Sequence, residues 1–127
     1  LSGFWDIMPT LADIAGVDLK KNKIPSEGIS LLPLLTGKPN QKKHHYLYWE
    51  IHEGTSSDQA VRQSGWKAVR RDPATDIELY NLGSDPEEQH NISRQHPDIS
   101  DRLKKILDTA RTPHEIWPLK YTKKPTN

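Results

Sequence analysis

The chain has 127 residues, 18 Lys and Arg against 17 Asp and Glu, a formal net charge of +1 and no cysteine. This balance gives no overall attraction to nucleic acid or anionic membranes, and the missing cysteines exclude disulfides, thiolate metal sites and cysteine nucleophiles. No apolar run approaches the roughly 20 residues that span a bilayer, and a hydrophobic fraction of 33% with ten prolines is low for a self-sufficient globule.

The first predicted element is a helix in the stretch DIMPTLADIAG, residues 6–16. Asp6 is a suitable N-cap, Pro9 falls in the first turn and Gly16 is a suitable stop. Apolar residues at helical spacing form one stripe, made of Ile7, Met8, Leu11, Ile14 and Ala15. Because this stripe needs a covering surface, we expect the helix to border another domain.

A second, shorter helix is predicted in SLLPLLTG, residues 30–37, between a Ser30 cap and a Gly37 terminator. Four leucines are expected to anchor it, namely Leu31, Leu32, Leu34 and Leu35. The polar stretch GKPNQKKHH then forms the best internal boundary. We therefore predict an N-terminal helix and linker over residues 1–45, at the edge of a larger domain.

From Tyr46 the hydrophobic period changes to two, which predicts a strand. One face, expected in the core, carries Leu47, Trp49 and Ile51. The other face, expected to contact another domain, carries Tyr46, Tyr48, Glu50 and His52. QAVRQSGWKAVRR then predicts two strands around a turn at Ser64 and Gly65, with the glycine at positive φ. DIELYNL supplies the fourth strand of an antiparallel meander.

Two helical segments are predicted after the sheet. SDPEEQHN, with Asp85 as N-cap, predicts one short helical turn. HPDISDRLKKILDTARTP predicts a longer helix that covers the sheet with one stripe of apolar side chains, namely Ile99, Leu103, Ile106, Leu107 and Ala110. The tail, residues 113–127, is expected to be irregular and free to fray.

These elements predict an α+β fold. A four-stranded antiparallel sheet packs against a C-terminal helix over residues 46–112, and the N-terminal helix is expected to border another domain. Without that domain, we expect the apolar stripe and the tyrosine face to be partly exposed, to self-associate or to repack onto the sheet.

Five phrases in order resemble the C-terminal end of the sulfatase family: DIMPTLADIAGV, EGISLLPLLTG, LYWEIHE, AVRQSGWKAVR and ELYNLGSDPEEQHNIS. The resemblance runs from about Phe4 to about Pro118. It implies a hydrolase of sulfate esters, of the arylsulfatase type and within the alkaline phosphatase superfamily. In that family a Cys or Ser in a large N-terminal domain becomes formylglycine and attacks sulfur beside a calcium ion.

The family's nucleophile motif, CxPSR or SxPSR, is absent, because Pro25 and Ser26 are followed by Glu27. The resemblance therefore implies a non-catalytic C-terminal subdomain that is inactive alone and has the N-terminal sulfatase domain as its partner. It further implies a sulfated substrate, for which a glycan is one candidate, and a periplasmic or secreted parent.

The stretch YLYWEIHEG places Glu50 and His52 on one strand face, with Glu53 next in the chain. A metal site there is disfavoured, because HExxH is absent and no neighbour supplies further ligands. A general acid and base pair would need a nucleophile and a pocket that this chain does not reveal. The plainer interpretation is a strand end at which Glu50 pairs with Arg62 or Arg70 across the sheet.

A sharper hypothesis places four residues at the rim of the missing active site, because loops on a rigid scaffold often carry binding residues. These substrate-rim candidates are His52, Glu53, Gln59 and Arg62. Arg62 would bind an anionic group through its guanidinium fork. No catalytic residue and no metal ligand is assigned to this chain.

Parts of the sequence also suggest three other functions. RNA binding by Trp66 and its basic neighbours is disfavoured, because the alternation of the strand divides that patch between two faces. A freestanding module could bind carbohydrate or protein through Tyr46 and Tyr48. A phosphoester or phosphonate hydrolase of the same superfamily would differ only in the missing catalytic part.

Overall fold

The computed structural model describes residues 1–122. The chain divides into two compact units, one from Leu1 to Leu47 and one that begins at Tyr48. Among the described residues, no helix combines the length and the apolar character that crossing a membrane requires. The assignment of residues 1–45 to the edge of a larger domain stays a prediction.

The first unit contains a 3₁₀ turn at Phe4–Asp6 and two helices, α1 at Ile7–Ile14 and α2 at Leu32–Leu35. Gly16 and Gly37 follow the helices, each with a φ of +69°, as their predicted role as stops requires. Asp6 precedes α1, but its side chain makes no capping bond to the helix. The predicted cap is therefore wrong, because the third helical position is Pro9, which lacks an N–H group.

Most of the α1 stripe is exposed in this chain, with Leu11 and Ile14 each 59% exposed. The expectation that the stripe lacks a cover is consistent with this exposure. The α2 leucines behave differently from the prediction. Leu34 and Leu35 are exposed and do not anchor the helix, whereas Leu31 and Leu32 are half-buried.

The second unit is built on the predicted four-stranded antiparallel meander, in the order β1-β2-β3-β4. The strands are β1 at Leu47–Ile51, β2 at Asp58–Gln63, β3 at Trp66–Arg70 and β4 at Glu78–Asn81. In the turn between β2 and β3 the positive φ, +55°, falls on Ser64 and not on Gly65 as predicted.

Helix α3, Pro97–Thr109, covers one face of the sheet, as predicted. Its Leu103 and Leu107 are buried. They share the core with apolar side chains of the sheet and the loop before β4, namely Val61, Ala68, Ile77 and Leu79.

The face of β1 that meets α3 is not the predicted one, although Leu47 is buried as predicted. Tyr48 packs against the core beneath α3, and Ile51 is 54% exposed. The reason is chemical, because Tyr48 and Glu50 find hydrogen-bonding partners on the helix-covered side. Buried polar groups are tolerated when they are paired in this way.

Two further segments differ from the predictions. Residues 84–90 form turns and not a helical turn, because Glu88 adopts a φ of +57°. Asp85 accepts hydrogen bonds from the N–H groups of Gln89 and His90. The tail has no helix or strand between 113 and 122, yet hydrogen bonds to Lys120 and Thr122 hold it. Residues 123–127 of the predicted tail lie outside the described residues.

Candidate functional site

A connected set of polar side chains lies on the sheet face that α3 covers. We call it the polar network, and it comprises Tyr48, Glu50, His52, Ser57, Gln59, Arg70, Asp108 and Arg111. The alternation of the strands brings the first members together. β2 and β3 are paired so that Gln59 lies opposite Arg70, and directly opposed residues point to the same face of a sheet.

At the centre of the network each side chain donates a hydrogen bond to the next, from Arg70 to Glu50. Arg70 donates from Nε and Nη2 to Oε1 of Gln59, at 2.9 and 2.7 Å. Gln59 Nε2 donates to the Tyr48 hydroxyl at 2.6 Å, and that hydroxyl donates to Glu50 Oε2 at 2.6 Å. Each buried polar atom in this series thus has a partner of the required kind.

One end of the network lies on α3. Arg70 Nη1 donates to Asp108 Oδ1 at 2.8 Å, and Lys104 lies 3.1 Å from the other carboxylate oxygen. Burial by itself would raise the pKa of Asp108, but the hydrogen bonds from Arg70 and Lys104 outweigh it and lower the pKa. Burial, followed by the hydrogen bond to Glu50, raises the pKa of Tyr48. Tyr48 therefore remains a hydrogen-bond donor at neutral pH.

Glu50 connects the centre of the polar network to its other end, which is formed by His52 and Ser57. Its Oε2 lies 2.7 Å from Nε of Arg111, an ion pair in which both side chains are largely buried. The Nε–H of Arg111 does not point at this oxygen well enough to form a hydrogen bond, so the contact is an ion pair only. Glu50 Oε1 lies 3.2 Å from His52 Nε2, and His52 Nδ1 lies 2.8 Å from the Ser57 hydroxyl.

The predicted partner of Glu50 is wrong. Glu50 pairs with Arg111, which follows α3, and reaches Arg70 only through Tyr48 and Gln59. Arg62 lies on the opposite sheet face, beside Lys67 of β3. The reversal of the β1 faces explains the error, because Glu50 and Arg62 point to different sides of the sheet.

The structure does not bring the four substrate-rim candidates together. His52 and Gln59 belong to the polar network, Glu53 is exposed in the loop between β1 and β2, and Arg62 lies on the other face. Gln59 is 1% exposed. Contact of these four side chains with a substrate stays a prediction.

The Ser57, His52 and Glu50 series has the order of a nucleophile, a base and an orienting carboxylate. Ser57 is 0% exposed, however, and its Oγ already accepts a hydrogen bond from the Lys120 N–H at 2.8 Å. An incoming substrate has no access to this oxygen in the structure. The arrangement is suited to holding a loop and not to attacking an ester.

Sequence reasoning missed Ser57, Asp108 and Arg111. Each has a partner distant in the chain, namely Lys120, Arg70 and Glu50 in turn, and no local pattern distinguishes the three from ordinary polar residues. Through residue 122, the structure shows no cluster of three His, Cys, Asp or Glu side chains that could hold a metal ion.

Replacing Tyr48 with phenylalanine is expected to destabilise the second unit by about 1–3 kcal/mol, because the Gln59 amide and the Glu50 carboxylate each lose a buried partner. Chemical denaturation of the chain measures this change. Tyr121→Phe is the matched control, since Tyr121 is 39% exposed. Equal stability of the two variants would contradict a stabilising role for the Tyr48 hydroxyl.

Residues 4–113 match the family model described as N-sulphoglucosamine sulphohydrolase, C-terminal. A delta 4,5-hexuronate-2-O-sulfatase from Bacteroides thetaiotaomicron is 33% identical over 93 residues, which cover 70% of this chain and 19% of that protein. Human arylsulfatase K is 33% identical over 112 residues, which cover 80% of this chain and 20% of that protein.

Solved structures are also similar to this chain. A 2-O GAG sulfatase is similar with a TM-score of 0.71 and 31% identity, over 83% of this chain and 23% of that one. Ps i-CgsB, solved in complex with k-i-k-neocarrahexaose, is similar with a TM-score of 0.67 and 25% identity, over 83% of this chain and 23% of that one. This chain spans about a fifth of the length of the curated relatives it matches.

Proposed function

The chain belongs to the sulfatase family as a C-terminal segment, and from that premise we propose that it is the non-catalytic C-terminal part of a larger sulfate-ester hydrolase. In this proposal the N-terminal part of the parent carries out the reaction. The C-terminal part completes the fold and contributes to the wall of the substrate pocket.

The observation that carries this proposal is the apolar surface of the first unit. Side chains from the 3₁₀ turn, α1 and the residues just after it line a shallow apolar groove, made of Phe4, Trp5, Ile7, Met8, Leu11, Ala12 and Val17. Phe4 alone is 89% exposed. Apolar patches of this kind usually mark an interface, and the catalytic part of the parent is the occupant that the family supplies.

We assign the reactive groups to that N-terminal part, with formylglycine as nucleophile and calcium beside it. Formylglycine hydrate would attack the sulfur of the ester. The described residues do not form a calcium site, because calcium takes six to eight oxygen ligands and no cluster of three candidate ligands is present in 1–122. No chemical step is therefore proposed through a metal on this chain.

A sulfated glycan is the proposed substrate class. Support comes from the relatives, one of which is a hexuronate-2-O-sulfatase and another a 2-O GAG sulfatase. Export of the parent to the periplasm or the medium is likewise part of the proposal.

The test compares the full-length parent with this chain alone, using 4-nitrophenyl sulfate as substrate. The parent is expected to release sulfate, and the chain alone is expected to be inactive, because its share of the protein contains no nucleophile motif. A parent whose formylglycine-forming residue is replaced by alanine is the control. Sulfate release by the chain alone would refute the proposal, and faster cleavage of 4-nitrophenyl phosphate would favour a phosphoester hydrolase.

A further inference from the structure

The tail between Trp117 and Thr122, which we call the tail strap, is attached to two loops of the second unit. The Ser57 N–H donates to the Lys120 carbonyl at 3.0 Å, and the Lys120 N–H donates to Ser57 Oγ at 2.8 Å. The Thr122 N–H donates to Asp72 Oδ2 at 2.6 Å. Hydrogen bonds from Thr122 and from the Ala74 N–H lower the pKa of Asp72, so this carboxylate stays ionised and able to accept.

Additional contacts hold the start of the strap. Arg111 Nη2 donates to the Trp117 carbonyl. The rings of Trp117 and His52 lie with their centroids 6.2 Å apart. The strap therefore contacts both ends of the β1–β2 loop, residues 52–57: it meets His52 at the start of the loop and Ser57 at its end.

Ser57 connects the strap to His52. In the neutral imidazole, one ring nitrogen donates and the other accepts. Glu50 as a carboxylate can only accept, so His52 Nε2 carries the proton that points toward it. Nδ1 is then the acceptor, and the Ser57 hydroxyl donates to it at 2.8 Å. The Lys120 N–H orients this hydroxyl by occupying one of its lone pairs.

We propose that the tail strap fixes the conformation of the β1–β2 loop, and that Ser57 is the positioning residue through which it sets the ring orientation of His52, whose tautomer is set by Glu50. Both ring nitrogens of His52 are engaged inside this subdomain. Any contact of His52 with a substrate would use the ring face or would first break one of these bonds. The inference stands on the contacts of this chain and does not depend on the proposed activity.

The test uses two variants of the full-length protein. Ser57→Ala removes the hydroxyl, and Lys120→Pro removes the N–H that orients it. In both, amide exchange at residue 57 is expected to rise about tenfold, the effect of losing one hydrogen bond. The ¹⁵N resonance of His52 Nδ1 is expected to shift in both variants, because its hydrogen-bond donor is lost or displaced.

The adjacent serine supplies the control. Ser56 Oγ donates to the Arg71 carbonyl and not to the strap, so Ser56→Ala is expected to leave both readouts unchanged. The amide of Val69, in β3, reports on the sheet core. Unchanged His52 resonances in both variants would overturn the proposal, as would an equal rise in exchange at Val69, which would show general destabilisation.

Discussion

Replacing Asp6 with alanine is expected to unfold most of the first unit, with a loss of about 3–5 kcal/mol, as for other buried charged groups that lose their partners. Asp6 is 0% exposed. Its carboxylate accepts hydrogen bonds from the N–H groups of Gly3 and Ile29, at 2.8 and 2.7 Å, and lies 2.8 Å from His44 Nε2. It thus joins three segments of the first unit.

Hydrogen exchange measures this effect at the Leu31 amide, which bonds to the Thr10 hydroxyl and not to Asp6 itself. Exchange there is expected to accelerate at least a hundredfold, since each 1.4 kcal/mol gives about a factor of ten. Asp13→Ala, at an exposed position of α1, is the matched control. Similar exchange in the two variants would contradict the central role of Asp6.

The Asp6 carboxylate also predicts that the first unit loses stability at acidic pH. Burial raises the pKa of Asp6, but the N–H groups of Ile29 and Gly3, together with His44, outweigh burial and lower the pKa below its usual value. The pKa of an aspartate in an unfolded chain is about 3.9. The stabilisation is therefore fully present above about pH 4 and is lost as the pH falls through the lower folded pKa.

Replacing Arg70 with alanine is expected to destabilise the second unit by about 2–4 kcal/mol, because a buried carbonyl and a carboxylate lose their donors. Arg70 is 6% exposed. Its loss leaves Gln59 Oε1 without its two hydrogen bonds. The estimate lies below the full value for a buried pair, because the Asp108 side chain is 42% exposed.

Denaturant unfolding of the chain measures this change, and the next residue in the chain is the control. Arg71 lies 3.4 Å or more from its carboxylate partners and is 62% exposed. Arg71→Ala should cost less than about 1 kcal/mol, the usual limit for surface ion pairs. A smaller effect at Arg70 than at Arg71 would show that the polar network does not stabilise the fold.

Local patterns were sufficient to predict the elements whose stabilisation is local. The α3 stripe with Leu103 and Leu107 follows from helical spacing, and the β2–β3 hairpin follows from the turn at Ser64 and Gly65. These features depend on neighbours a few residues away. The sequence alone therefore contains the information needed to place them.

The orientation of β1 could not be predicted in that way. Alternation gives two faces but does not say which one meets the helix, and the apolar Trp49 and Ile51 favoured the wrong choice. The actual choice depends on Gln59, which bonds Tyr48 and is held by Arg70, and on Arg111, which forms an ion pair with Glu50 from far along the chain. Ser57 was missed for the same reason, since its partner lies in a tail predicted to fray.

The separation of Ser57 from Lys120 also has a consequence for the order of folding. The two residues are 63 positions apart, whereas the hairpin and α3 rely on near neighbours. Closing a long segment costs more entropy than closing a short one, so distant pairings generally form late. During folding the sheet would therefore pair first, and the β1–β2 loop would settle only after residues 117–122 had reached it.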